Sequence, residues 1–353
     1  MRFIGNKENL VKNMYSIINS KNIHGKIFFD FFAGTANVGK FFKSLNYKVY
    51  SSDILYFSYC LQYAYIKNNI VPEFEKLLYY LNIKNKNMYL FSDSNLELVL
   101  EYLNNIELFE GFIYNNYTMG GTENKEYRRM YFSDYNAKKI DAIRIEIEKW
   151  KNDDLINDNE YFILIASLIE SVSFFSNVSG VYAAFQKKWD RRALKPFVLK
   201  PIKLIFNDKK NEIFFGNSID IVKNINTDIL YLDPPYNERQ YAPNYHILET
   251  IARYDNPEIK GISGMRDYKD QKSSFCNRKT ALIDLEFIIN NANYKYCILS
   301  YNDEGIMKEE DIIYIMSKVG KVDLVKFDYL KFKSNSNNNK KFVKEKLFIL
   351  EKN

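Results

Sequence analysis

Five short apolar runs, each closed by a polar or glycine-containing turn, constrain the fold of this chain more than any other feature. They are Lys26–Phe32, Lys48–Asp53, Glu212–Asn217, Asp228–Asp233 and Lys295–Tyr301. A strand that is apolar on both faces belongs in a parallel sheet covered by helices on both sides. Candidate helices Asn37–Leu45, Asp141–Lys151 and Tyr161–Phe175 lie between the runs. Two final runs, Lys321–Lys333 and Phe342–Leu350, read as an antiparallel hairpin at a sheet edge, joined by the low-complexity loop Lys333–Lys341. The expected fold is α/β: a doubly wound, mostly parallel sheet with a C-terminal antiparallel hairpin.

The first two strands end before residue 55 and the next begin after residue 210. The stretch between reads as helices and loops. We therefore expect one doubly wound domain formed by residues 1–110 and 206–353, with a mainly helical insertion at 111–205.

Composition excludes several function classes. Cys60, Cys276 and Cys297 are far apart with no CxxC pair, and the only histidines are His24 and His246. No disulfide framework and no metal centre is expected. The N-terminus carries no apolar signal segment and no apolar run approaches membrane-spanning length, which predicts a soluble, cytoplasmic protein with no membrane partner. The net charge is +6, and it is concentrated. Lys187–Lys203 holds seven Lys/Arg against one Asp, and Lys260–Lys279 holds six against two. Such stretches suit a polyanion, although solvated loops of a Lys-rich protein give the same pattern.

Two motifs carry chemistry. In Phe29-Asp-Phe-Phe-Ala-Gly-Thr-Ala-Asn-Val-Gly39 an apolar strand runs through a glycine turn into a helix. Glycine lets the backbone approach a ligand, and the helix N-terminus lies nearby. Asp53 ends the next strand, where an acidic side chain can grip ribose hydroxyls. The dinucleotide pattern GxGxxG is replaced by Gly34-x-Ala36-x-x-Gly39, which disfavours a pyrophosphate but leaves room for an adenosine ligand. The second motif, Asp233-Pro-Pro-Tyr236, follows the apolar strand directly. Two prolines fix an extended turn and remove two N–H donors. Asp233 and the Pro234 carbonyl can each accept a hydrogen of an exocyclic amine, and Tyr236 can stack on a planar base.

On these residues the chain resembles the adenine-specific, amino-group DNA methyltransferases in which cofactor motifs precede the catalytic one. Arg2-Phe-Ile-Gly-Asn-Lys7 is similar to that family's N-terminal cofactor motif, and Phe32-Ala-Gly-Thr-Ala36 to its FxGxG turn, with alanine as the last residue. Asn237–Thr250, Ser179–Arg192 and Ile298–Gly305 extend the likeness over nearly the whole chain. The resemblance implies a Rossmann-like methyltransferase fold and S-adenosylmethionine as cofactor, held by Phe3, Lys7, Asp30, Phe32, Ala33, Gly34, Thr35, Asp53, Asn217 and Ser218. Asp220 stays open as the alternative to Asn217 at the cofactor's adenine. Asp233, Pro234, Pro235 and Tyr236 would be catalytic, methylating N6 of an adenine flipped out of duplex DNA. Lys187, Lys188, Arg191, Arg192, Lys195, Arg239, Tyr241 and Arg266 would bind DNA. His246 and Trp150 read as structural, while Trp189, within the basic cluster, is a candidate to touch DNA. The implied setting is a restriction-modification system, with a cognate endonuclease as partner and a monomer as the working unit. A methyltransferase for another planar amine or amide, in RNA or on protein glutamine, and a catalytically silent DNA-binding protein are the alternatives.

Overall fold

A computed structural model describes residues 10–83, 94–224, 226–330 and 342–353. Its strands, in chain order, are β1 (Ile27–Asp30), β2 (Lys48–Asp53), β3 (Glu212–Phe215), β4 (Asn226–Leu232), β5 (Ile259–Lys260), β6 (Met265–Arg266), β7 (Asn293–Asn302), β8 (Gly320–Leu330) and β9 (Phe342–Lys352). Seven of them form one sheet in the order β3-β2-β1-β4-β7-β9-β8. The first five strands in that order pair in parallel; β9 runs antiparallel to β7, and β8 antiparallel to β9. All five apolar runs are strands of this sheet, and the hairpin stands at its edge. The loop Lys333–Lys341 lies outside the described residues.

Alternation of large apolar side chains explains how both faces are covered. Phe28 faces the helix Asn37–Ser44, stacking on Phe42 with ring centroids 3.7 Å apart. Phe29 points the other way, into a core with Leu230 of β4 and with Leu285, Ile288, Ile312 and Met316 from the helices Ala281–Asn291 and Glu309–Ser317. Asp228 holds the central strands in register, accepting the Lys26 and Ile27 amides at 2.6 and 2.9 Å.

Contacts divide the chain into two compact units, and the division departs from the expected insertion. The sheet unit comprises Phe3–Lys67, Ile205–Asn244 and Tyr268–Asn353; the helical unit takes in Asn68–Leu204 and Tyr245–Asp267. The helical unit thus starts at residue 68, not 111, because the helix Asn95–Asn105 buries Val99, Leu100 and Leu103 there. It also takes the C-terminal part of the helix Tyr241–Arg253, whose Tyr245 departs from helical dihedrals where one unit gives way to the other. Within this unit Trp150 is fully buried in the helix Asp134–Asn152. That helix begins seven residues earlier than expected because the Ser133 hydroxyl caps it, accepting the Asn136 amide. The helix Asp158–Val172 starts in a capping box between Asn157 and Glu160. Among the described residues no helix is long and apolar enough to cross a membrane.

Candidate active site

In a doubly wound sheet, ligands bind beyond the C-terminal strand ends where the winding reverses. Here that point lies between β1 and β4, within the sheet unit. Asp30 ends β1, Asp53 ends β2 and Asp233 follows β4. All three line one cavity, with Phe32, Ala33, Gly34, Thr35, Asn217, Pro235 and Tyr241.

The turn after β1 is built on two left-handed residues, Gly34 (φ 53°) and Ala36 (φ 59°). Ala36 donates to the Ala33 carbonyl at 2.7 Å, closing the turn just before the helix Asn37–Ser44. The Asp53 carboxylate ties this turn to its own: Oδ2 accepts the Gly34 amide at 2.8 Å and Oδ1 the Leu55 amide at 2.9 Å. Asp30 is buried and accepts the Gly39 amide at 3.0 Å. Burial pushes its carboxyl up to about 7, the Gly39 hydrogen bond opposing and the charges of Asp233 and Asp53 reinforcing the rise.

Beyond β4 the Tyr236 hydroxyl donates to Asp233 Oδ1 at 2.6 Å, and its ring packs edge-on against Tyr301 at 5.0 Å. Tyr236, expected to stack on a base, is not among the cavity-lining residues. Pro234 is buried below the cavity and Pro235 lines it. Asn217 lines it as well, whereas Asp220 is exposed elsewhere. Ser218 opens the short helix Ser218–Ile221, and its side chain lies outside the described residues, as do Phe3 and Lys7.

Lining residues that were not singled out in the sequence include Gln240, Ser273, Phe275 and Tyr231. The Gln240 amide makes two hydrogen bonds with the Ser273 backbone, at 2.9 and 2.8 Å, drawing the 271–275 segment over the cavity. Phe275 then packs edge-on against Phe32 at 5.2 Å. The Tyr231 hydroxyl is buried beside Ser300. The only sequence signal for the segment was its basic charge, which pointed outward to DNA and not inward to a ligand.

The basic residues divide. Lys187, Lys188, Arg191 and Lys195 are exposed on a loop of the helical unit. Buried Asn177 and Asn136 hold that loop: Asn177 receives the Asp190 amide at 2.8 Å, and Asn136 donates to the Ala193 and Lys195 carbonyls at 3.0 Å each. Arg192 is folded back on Asp190. Trp189 is half-buried in the same loop. Arg266 corrects the expectation of a DNA contact: it is buried, with its guanidinium forked on Asp255 at 2.7 and 3.0 Å. A turn with a glycine before it looked solvated in the sequence, but β6 turns this side chain inward. Arg239 is exposed in the sheet unit, and Tyr241 lines the cavity. His246 is buried with Nε2 at 2.9 Å from the Tyr182 carbonyl, a structural place.

A model of the D12 class N6 adenine-specific DNA methyltransferase family matches residues 3–315. Modification methylase StsI of Streptococcus sanguinis is 38% identical over the whole chain, and Type II methyltransferase M.FokI of Planomicrobium okeanokoites is 39% identical. The chain spans about half the length of these two relatives, 52% and 53%. Type II methyltransferase M.NlaIII of Neisseria lactamica is 37% identical, with 100% of this chain and 99% of that protein covered. The chain belongs to the D12 class N6 adenine-specific DNA methyltransferase family.

Proposed function

We propose that this protein transfers a methyl group from S-adenosylmethionine to N6 of an adenine flipped out of duplex DNA. The observation that carries the reading is that the Gly34–Asp53 turn and Asp233 line the same cavity.

The lining fits the cofactor's chemistry. The carboxylates Asp53 and Asp233, with Asp30 partly protonated near neutral pH, accompany one cation, Lys272, among the described lining residues. That balance suits a positively charged nucleoside and not a pyrophosphate. When bound, S-adenosylmethionine supplies a methyl group already activated by its sulfonium. Asp53 brings a carboxylate to the cavity wall, an acceptor suited to ribose hydroxyls. Asn217 offers an amide to the cofactor's adenine, and Phe32 and the Ala33–Thr35 backbone contribute walls to the pocket. The buried Tyr231 hydroxyl adds a polar group to the cavity wall.

The adenine amine is a weak nucleophile because its lone pair is delocalised into the ring. Asp233 and the Pro234 carbonyl accept its two hydrogens, turn the lone pair toward the methyl group and hold the charge that develops on nitrogen. The proton becomes acidic only after attack, so Asp233 needs no special basicity to accept it. Flipping the base costs on the order of a few kcal/mol, offset by contacts in the pocket. Lys187, Lys188, Arg191 and Lys195 supply phosphate contacts, with Arg239 nearer the tetrapeptide in sequence.

The matched relatives are named as modification methylases and type II methyltransferases. By that likeness we read the protein as a modification enzyme, acting as a monomer on sites that a separate endonuclease cuts. Its three cysteines are buried and free, in keeping with a reducing cytoplasm.

The test is label transfer from methyl-tritiated S-adenosylmethionine to unmethylated mixed-sequence duplex DNA, followed by nucleoside digestion. Label in N6-methyladenine is expected. Label in cytosine, or label accepted by RNA or protein alone, overturns the substrate.

A further inference from the structure

A buried carboxylate from the C-terminal hairpin reaches the catalytic tetrapeptide. Glu345 lies on β9 opposite Asn302 of β7, at the sheet edge where Asp233 follows β4. It is 3% exposed. Its Oε1 is 2.9 Å from the Tyr236 hydroxyl and 3.0 Å from the Ser300 hydroxyl. The same Tyr236 oxygen lies 2.6 Å from Asp233 Oδ1 and 3.3 Å from Ser300 Oγ.

A phenol carries one hydrogen, so Tyr236 can donate fully to one carboxylate at a time. In the geometry described, the shorter contact goes to Asp233, the acceptor that an incoming amine must use. An amine that takes Asp233 Oδ1 displaces the phenol hydrogen. A buried hydroxyl without an acceptor would oppose that exchange. Glu345 stands where the displaced hydrogen can go, and Ser300 holds the same Glu345 oxygen in place.

The position is costly on other grounds. Leu347 and Ile349, two and four residues on, share its strand face and are buried apolar residues. An apolar side chain at 345 would continue that face without burying a charge, which makes the carboxylate weak evidence for stability alone.

We infer that Glu345 is a positioning residue for methyl transfer, taking the Tyr236 hydroxyl when the target amine engages Asp233 and so keeping Asp233 available. The inference rests on the proposed adenine methylation. Glu345 touches neither amine nor methyl donor; it acts through Tyr236.

The experiment uses the full chain, methyl-tritiated S-adenosylmethionine and unmethylated duplex DNA under single-turnover conditions. It compares the unaltered protein, E345L, E345Q, Y236F and the E345L/Y236F double variant. Melting temperature and cofactor Kd are measured for each. A wild-type protein that labels no adenine overturns the proposed function, and this inference with it, before any variant is read. With wild-type transfer in hand, E345L, which leaves no acceptor at this position, is expected to lower the transfer rate about tenfold while cofactor Kd and the DNA concentration dependence stay within twofold. E345Q keeps an acceptor oxygen for the Tyr236 hydroxyl and is expected to stay within about threefold of wild type. Y236F keeps the aromatic ring, removes the hydroxyl that needs rehousing, and is expected to retain measurable transfer. In that background E345L is expected to change the rate less than twofold, since the two act as one unit. The inference is overturned by a wild-type rate in E345L, by an undiminished tenfold loss in the Y236F background, or by a loss explained by weakened cofactor binding or a collapsed melting temperature. Should Y236F fall below detection, E345D serves as the second variant. Its carboxylate is one methylene short of Tyr236, so it should match E345L in rate, and a wild-type rate in E345D overturns the inference.

Discussion

The Gly34 amide points at Asp53: its hydrogen bond to Oδ2 is 2.8 Å long, while Oδ1 of the same carboxylate holds the Leu55 amide at 2.9 Å. One side chain at the end of β2 therefore shapes the turn after β1 as well as its own. Charge-assisted hydrogen bonds of this kind contribute about 1.5–3 kcal/mol each, and removing the acceptor leaves both donors unmet. Asp53→Ala should lower unfolding stability by at least about 2 kcal/mol and weaken S-adenosylmethionine binding tenfold or more. Calorimetric titration of the folded variant reads the second effect; an unchanged Kd would separate Asp53 from the cofactor.

Asp30 gives the site a pH signature. Its carboxyl rises from an ordinary 3.8 to about 7, chiefly through burial. The folded protein therefore keeps a proton that the unfolded chain has released. Stability from this group is present below about pH 4 and is lost as pH rises through about 7, a change of up to about 4 kcal/mol. Asp30→Asn keeps an acceptor for the Gly39 amide and removes the charge. Its melting temperature should exceed that of the unaltered protein at pH 8 and match it near pH 4. A gain of equal size at both pH values would sink the assignment.

Alanine at position 36 adopts a left-handed conformation, φ 59° and ψ 18°, at the start of the helix Asn37–Ser44. That costs an L-residue roughly 1–2 kcal/mol. Glycine would relieve the strain but lose a buried methyl, about 0.8 kcal/mol, and pay about 0.5–1 kcal/mol in backbone freedom. Ala36→Gly should thus lie within about 1 kcal/mol of the parent in urea unfolding. Ala36→Val puts a branched side chain into the same backbone region and should lose more than about 2 kcal/mol. Equal stability of the two variants would mean the turn relaxes.

In the proposed reaction Asp233 engages the adenine amine, while the Gly34–Asp53 turn engages the cofactor. Asp233→Ala should abolish detectable methyl transfer while changing cofactor Kd less than tenfold, about 1.4 kcal/mol. Full transfer by this variant is the result that removes Asp233 from the mechanism.

What could be read from the sequence follows from what local pattern encodes. The strands were legible because burial on both faces forces continuous apolar runs, and Asp30, Asp53 and Asp233 because each sits at the end of one. The helical unit's start was not legible: Asn68–Glu110 looked like more of the sheet domain, and its membership is decided by long-range contacts. Arg266 was misread for the same reason, since only β6 and its ion pair with Asp255 reveal an inward side chain. Gln240 and Glu345 carry no local signal at all. One closes a loop 33 residues away and the other meets Tyr236 across 109 residues.

Two adjacent arginines make a test of how DNA is held. Arg191 is exposed, on a loop pinned by Asn136 and Asn177. Arg192 is already neutralised by Asp190, with Nε at 3.1 Å from both carboxylate oxygens. A phosphate contact contributes about 0.9 to the slope of log K against log salt, because it releases condensed counterions. Arg191→Gln should therefore flatten the slope by about 0.9, and Arg192→Gln by clearly less, since the Arg192 guanidinium is held by Asp190 and releases no counterion from the DNA. Fluorescence anisotropy of a labelled duplex across a salt series measures both. Equal slopes for the two variants would mean that Arg192 leaves Asp190 when DNA binds, and an unchanged slope for Arg191→Gln would mean that this loop faces solvent in the complex.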